Sequence, residues 1–222
     1  KNNITVFGES AGGHNVLSLL VISEAKELFH KAISMSGYTT SLSKEDAYRQ
    51  KEQSVTSRHS SWSVVNRILH DRGSLKNQNE YTNSELRNIL YSLSGKEFYK
   101  YYGDRQTFEE IPLLTNDGIL IPEIGLSKAL SKEKHINQVP MIVGSNRDEV
   151  KFWLALSEYF VTVDSSIGGF LFNLPKIILK DESAYEAFNY YRSTAWKVRG
   201  VDQPLQSLAK AGNNQLFSYR FD

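Results

Sequence analysis

The 222-residue sequence contains no cysteine. Disulfides, thiolate metal centres and cysteine nucleophiles are thereby excluded. The absence fits any compartment, so localisation stays open. The sequence also lacks an apolar run near the roughly 20 residues that a membrane-spanning helix needs. The best candidate, residues 16–22, has Ser18 inside it and suits a buried helix. Neither sign of charge dominates: 26 Lys and Arg face 25 Asp and Glu, for a net charge of +1. A nucleic-acid surface needs a basic excess on one face, so no nucleic-acid partner is expected. Histidine is the most informative shortage. The five histidines, His14, His30, His59, His70 and His135, all precede residue 149. The opening Lys1-Asn2-Asn3-Ile4 is neither an initiator methionine nor a signal peptide, and an upstream segment is expected.

What is present reads as an alternation of strands and helices. Residues 4–7 are a β-prone run closed by Gly8. Residues 11–22 follow as a helix, with Val16, Leu19 and Leu20 at spacings of three and four, and Leu17 and Val21 widening the apolar face. A second strand covers 29–35 and ends at Ser36-Gly37. Helical spacing returns around Val64, Val65, Ile68 and Leu69, and again over 84–93. Thr115-Asn116-Asp117-Gly118 is a turn signal before a short strand at 119–121, which Pro122 ends. Residues 139–143 form the clearest buried strand. Residues 151–210 are mostly helical in pattern, and Leu216–Phe221 reads as a last strand. Strands separated by helical stretches predict an α/β fold with a mostly parallel sheet. Helical insertions are expected at about 43–100 and 151–210.

One stretch carries chemistry. Gly8-Glu9-Ser10-Ala11-Gly12 fits G-x-S-x-G, with a strand before it and a helix after it, the context a nucleophile elbow requires. A sharp strand-to-helix turn holds the central serine in a strained backbone conformation and lifts its hydroxyl above the sheet. Small residues are needed two positions away on either side. The N–H of the next residue, Ala11, then points at a developing oxyanion. A glycine-rich turn with an incidental serine satisfies the same five letters. The flanking strand, the helix and Gly13 favour the elbow.

Thr5-Val6-Phe7-Gly8-Glu9-Ser10-Ala11-Gly12-Gly13 resembles the active-site signature of type-B carboxylesterases, the family of cholinesterases and bacterial para-nitrobenzyl esterases. The likeness continues through residues 28–37, through Asp117-Gly118 with Pro122, through Gly144-Ser145-Asn146-Arg147-Asp148-Glu149, and through Leu216–Phe221. It implies an α/β-hydrolase fold over residues 1–222, a mostly parallel twisted sheet flanked by helices. It also implies an incomplete one, a fragment whose N-terminal strands, H-G-G-G-type oxyanion loop and C-terminal histidine loop lie outside it. The implied activity is hydrolysis of a small-molecule carboxylic ester through an acyl-serine, without metal or organic cofactor. The fragment alone is expected to be inactive.

Serine needs a base, and the base an orienting acid. In α/β-hydrolases the order is Ser, acid, His. Two adjacent acids, Asp148 and Glu149, follow the strand at 139–143. Their chemistry alone does not separate them, and an ordinary solvated pair is the commoner fate of two adjacent acids. The resemblance selects Glu149. Val150 stands where most relatives carry glycine. No histidine follows Glu149, so the base is expected outside the chain. His14, one helical turn beyond Ser10, is expected to be a packing or surface residue.

The resemblance further implies that Ser36 supports the Glu–His pair, although a plain Ser-Gly strand end is an alternative. It implies that Glu9 is a buried supporting acid. Phe152, Trp153, Tyr159, Phe160, Phe170 and Phe172 are candidates either for a substrate pocket or for plain core. A rival assignment is a non-catalytic, neuroligin-like adhesion domain of the same fold. Such relatives typically lose the elbow serine, and the presence of Ser10 and Glu149 argues against it.

Overall fold

The computed structural model describes residues 3–48, 60–74, 76, 78–102, 114–164 and 176–222. It divides into two compact units, Lys1–Thr39 with Leu126–Asp222, and Thr40–Gly125. From the N-terminus, β1 (Thr5–Glu9) leads into α1 (Ala11–Leu19) and β2 (Lys31–Met35). The second unit holds β3 (Leu42–Ser43), α2 (Lys44–Tyr48), α3 (Ser61–Asp71), α4 (Asn83–Tyr91), α5 (Gly95–Tyr99) and β4 (Thr115–Asn116). The first unit resumes with α6 (Leu126–Ala129), β5 (Met141–Asn146) and α7 (Lys151–Leu154). It continues through β6 (Val161–Asp164), β7 (Lys176–Leu179), α8 (Glu182–Lys197), a π-helical turn (Val198–Asp202), α9 (Gln203–Lys210) and β8 (Leu216–Phe221).

The strands β1, β2, β5 and β8 form one sheet in that order, every neighbouring pair parallel. Side chains alternate between the faces of a strand, and the two faces here differ sharply. On one, Ala32, Ser34, Met141, Val143 and Ser145 are each at most 1% exposed. Helix α1 packs on β1 and β2 and contributes the buried Val16 and Leu17. On the other face, Phe7, Ile33, Ile142 and Phe217 stand in register across all four strands. Phe7 is 71% exposed there and Phe217 61%.

Four expected elements differ. Helix α1 stops at Leu19 rather than at residue 22, because Asn137 takes its terminal carbonyls: its N–H donates to the Leu20 carbonyl at 2.7 Å and its side-chain amide to the Leu19 carbonyl at 3.2 Å. Residues 119–121 are a bend, not a strand. Asp117 Oδ1 accepts from the N–H groups of Ile119, Leu120 and Ile121 at 3.0, 2.9 and 3.0 Å, so one side chain replaces a strand's ladder. Those bonds, chiefly from Ile121, hold the Asp117 carboxyl below its ordinary range. The stretch 151–210 contains the antiparallel pair β6–β7 as well as helices. The strand expected at 139–143 begins at Met141, since Pro140 has no N–H for the ladder. Among the described residues no helix is long and apolar enough to cross a membrane.

Candidate active site

The whole turn between β1 and α1 is Ser10. Its backbone sits at φ 53° and ψ −114°, a region that costs a non-glycine residue about 1–3 kcal/mol. Two hydrogen bonds hold it there: the Ser10 N–H donates to the Met35 carbonyl at 2.8 Å, and the His14 N–H to the Ser10 carbonyl at 3.0 Å. Serine at a helix N-cap ordinarily spends its hydroxyl on an N–H of the first turn. The Ser10 side chain makes no such bond. Ala11, the first residue of α1, carries one of the N–H groups that a helix cannot pair internally.

The steric demand of the elbow falls on one side only. A Cβ at Gly8 would overlap the Gly12 carbonyl, whereas a Cβ at Gly12 meets nothing within 4 Å. The expectation of a symmetric requirement is corrected accordingly. Gly13 matters for another reason: a Cβ there would stand 2.8 Å from the Met35 carbonyl oxygen and 2.9 Å from Gly37 Cα. Helix α1 thus lies directly on the end of β2.

That end of β2 is shared with the acid. Ser36, also at positive φ (51°), donates its N–H to the Gly144 carbonyl of β5 at 2.8 Å. Its Oγ donates to Glu149 Oε1 at 2.5 Å, a length typical of a hydroxyl on a charged carboxylate. The Asn146 N–H donates to the same oxygen at 2.7 Å, and Asn146 Nδ2 reaches Oε2 at 3.3 Å. Ser10 is therefore tied to Met35 and Glu149 to Ser36. Ser10 follows the C-terminal end of β1 and Glu149 that of β5, with β2 between them, on the edge where parallel sheets hold their sites.

Asp148 faces elsewhere. Its Oδ1 accepts from Asn189 Nδ2 at 2.7 Å, and its Oδ2 from Arg147 Nε and Nη2 at 3.1 and 3.0 Å. The Asn189 bond above all, with Arg147 behind it, holds this carboxyl below the ordinary range. The two acids that sequence chemistry left together thus have separate partners.

Of the remaining expectations, Glu9 is exposed rather than buried. It closes β1, which among the described residues is an edge strand paired only with β2, so its side chain has described neighbours on one flank alone. His14 is a packing residue, 6% exposed, with its ring centroid 4.3 Å from that of Tyr38. Phe160 is core with Leu154, Val161 and Tyr185, while Phe152 and Tyr159 are 67% and 80% exposed. Phe170 and Phe172 lie outside the described residues. A shallow depression of about 540 Å³ in the second unit, lined by Arg67, His70, Asp71 and Lys100 among others, contains none of the predicted residues. Ser63 and His70 both line it, but no hydrogen bond joins them and the His70 ring contacts Asp71 instead, so the elbow remains the candidate.

Residue-by-residue reasoning missed the two bonds from Asn146 to Glu149, although the residue lies inside the motif before Glu149. It also missed Tyr219, whose ring occupies the space a Gly144 side chain would need. Burial, with Glu149 and Glu9 nearby, pushes the Tyr219 hydroxyl above its ordinary pKa.

Comparison with known proteins bears on the same elements. Among solved structures, a PNB esterase superposes with a TM-score of 0.58 at 20% identity, over 100% of this chain and 44% of its own. A Geobacillus stearothermophilus carboxylesterase gives 0.58 at 22% identity, over 100% and 43%. Carboxylesterase 1E of Rattus norvegicus is 31% identical over 219 residues, 92% of this chain and 36% of its own length. Carboxylesterase 1E of Mus musculus is 29% identical over 218 residues, again 36% of its length. The chain thus spans about a third of the curated relatives it matches. The model of the carboxylesterase family matches residues 1–201; with its parallel sheet and its helices, the chain belongs to that family and carries part of an α/β-hydrolase fold.

Proposed function

We propose that the protein is a serine carboxylic-ester hydrolase with Ser10 as nucleophile and Glu149 as the acid of its triad. One observation carries this: the strained, uncapped Ser10 turn and the Glu149 carboxylate are tied to consecutive residues, Met35 and Ser36. Ser10 Oγ attacks the ester carbonyl while a histidine takes its proton. The tetrahedral oxyanion is met by the Ala11 N–H at the positive end of α1. The intermediate collapses, the alcohol leaves with the proton from the imidazolium, and the acyl group stays on Ser10. Water then repeats the sequence, releases the carboxylic acid and restores the serine.

Glu149 orients the histidine and stabilises its charged form. Its Oε1 is occupied by Ser36 and Asn146, while among the described residues Oε2 takes only the 3.3 Å amide contact and retains capacity for an imidazole N–H. All histidines of this sequence precede Glu149, and His14 is packed on Tyr38. The base is therefore assigned to a histidine outside residues 1–222, and these residues alone are expected not to turn over. Ser36 and Glu9 take supporting roles, Ser36 through its bond to Glu149 and Glu9 through its place beside the nucleophile. The substrate class is a carboxylic ester with an apolar part, and the chemistry needs no cofactor.

Hydrolysis of a p-nitrophenyl ester by the intact protein tests this. Glu149→Gln should keep the turn and lower kcat by roughly 10³–10⁴-fold, the scale for mispairing a triad histidine. An unchanged kcat would remove Glu149 from the triad. Absence of turnover in the wild type, across short-chain and long-chain esters, would favour the adhesion role.

A further inference from the structure

Helix α8 carries Tyr185, Asn189, Ser193 and Trp196 at spacings of four, four and three, which place them on one helix face. The first three are 4%, 2% and 2% exposed. Each spends its polar group on the segment that holds the acid. Tyr185 Oη donates to the Lys151 carbonyl at 2.6 Å. Asn189 Nδ2 donates to Asp148 Oδ1 at 2.7 Å. Ser193 Oγ donates to Asn189 Oδ1 at 3.1 Å and accepts from the Val150 N–H at 3.3 Å. Trp196 Nε1 donates to the Ser36 carbonyl at 3.1 Å.

Just beyond Trp196 the helix widens into the π-helical turn, a feature frequent at functional sites. There Gly200 lies so close to the Gly37 carbonyl that a Cβ would overlap it. The row therefore grips Glu149 from two directions. One is through its neighbours Asp148 and Val150, the other through its hydroxyl donor Ser36. None of these α8 side chains bonds to the Glu149 carboxylate itself.

We propose that this face of α8 is a positioning device for Glu149, with Asn189 and Ser193 setting the acid turn and Trp196 setting Ser36. The proposal rests on the hydrolase mechanism above. The physical reason is economy of contact. An apolar helix face would cover the same turn without needing matched partners, since buried polar groups are costly unless satisfied. A buried polar row fixes the turn's orientation, which apolar packing does not. Ser36 is the sensitive point. Its backbone is at positive φ, and its peptide is restrained by the Gly144 carbonyl on one side and Trp196 on the other. Without the Trp196 donor, the Ser36–Gly37 peptide can rotate and swing Oγ away from Glu149.

The test uses the intact protein, with active sites counted by stoichiometric fluorophosphonate titration so that misfolded molecules drop out. Trp196→Phe keeps a ring and removes only the donor. It should lower kcat per titrated site roughly tenfold with KM within about twofold, the scale of one hydrogen bond on a positioned group. In a Ser36→Ala background the same change should cost less than about twofold, because its route of action is gone. Ser193→Ala serves as the second variant if Trp196→Phe does not fold, and should show the same kcat loss at unchanged KM. Wild-type kcat per site in the folded variant, or a loss that simply multiplies with that of Ser36→Ala, would overturn the proposal. Ser10→Ala is run in parallel. Turnover surviving in it would overturn the hydrolase mechanism itself, whereas a dead Ser10→Ala beside a fully active Trp196→Phe would overturn the positioning role alone.

Discussion

Two serines, Ser10 and Ser36, occupy backbone regions that ordinarily favour glycine, at φ 53° and 51°. The strain is tolerated where neighbours over-determine the turn: Met35 and His14 hold the first, and Gly144 and Trp196 the second. In each case a hydroxyl is delivered to a place that a relaxed backbone would not reach. This separates stability from activity in a measurable way. Ser36→Gly removes the hydroxyl and the strain together. Thermal melts should show stability changed by less than about 1 kcal/mol, because relief of the strain offsets the lost bond and the entropy glycine adds to the unfolded chain, while kcat of the intact protein falls roughly tenfold. Parallel loss of both would mean that the Glu149 bond acts only as structural glue.

At the scale of elements, the elbow depends on how closely α1 approaches β1 and the end of β2. Gly8→Ala should destabilise by at least about 2 kcal/mol, because its Cβ meets the Gly12 backbone and cannot be accommodated by a side-chain shift. Gly12→Ala meets nothing and sits in a helix, so it should be neutral or stabilising by up to about 1 kcal/mol. Urea melts of both variants check the asymmetry; equal destabilisation would contradict it.

The elements around the site differ in how readily they could be read from the sequence. β1, α1 and β5 were legible because apolar spacing, glycine and proline mark them locally. The bend at 119–121 was not, since Asp117 removes the strand by bonding three successive N–H groups, a tertiary choice that hydropathy does not record. The hairpin β6–β7 was hidden inside a helical stretch, although β-branched Val161-Thr162-Val163 and Ile177-Ile178 carry its signal. The strained turn at Ser10 was legible from five letters. The separation of Glu149 from Asp148 needed partners at positions 36 and 189, far away in sequence, and the Trp196 bond to Ser36 spans 160 residues.

For the whole molecule, the governing feature is the unequal sheet. Parallel sheets are ordinarily covered on both faces. Here the rung Phe7–Ile33–Ile142–Phe217 has no such cover among the described residues, and Phe221 beyond it is 70% exposed. Residues 1–222 expressed alone should therefore bind the dye ANS and self-associate. Phe7→Ser with Phe217→Ser should reduce both; a dye-silent monomer would show that this face is satisfied in solution. The catalytic account makes a sharper demand, because it requires a single nucleophile in the intact protein. Its most direct measurement is covalent labelling with a fluorophosphonate, followed by peptide mass spectrometry. The account predicts one modified peptide carrying the adduct on Ser10 and none in Ser10→Ala, whereas equal labelling of the two proteins, or an adduct on another serine, would contradict it.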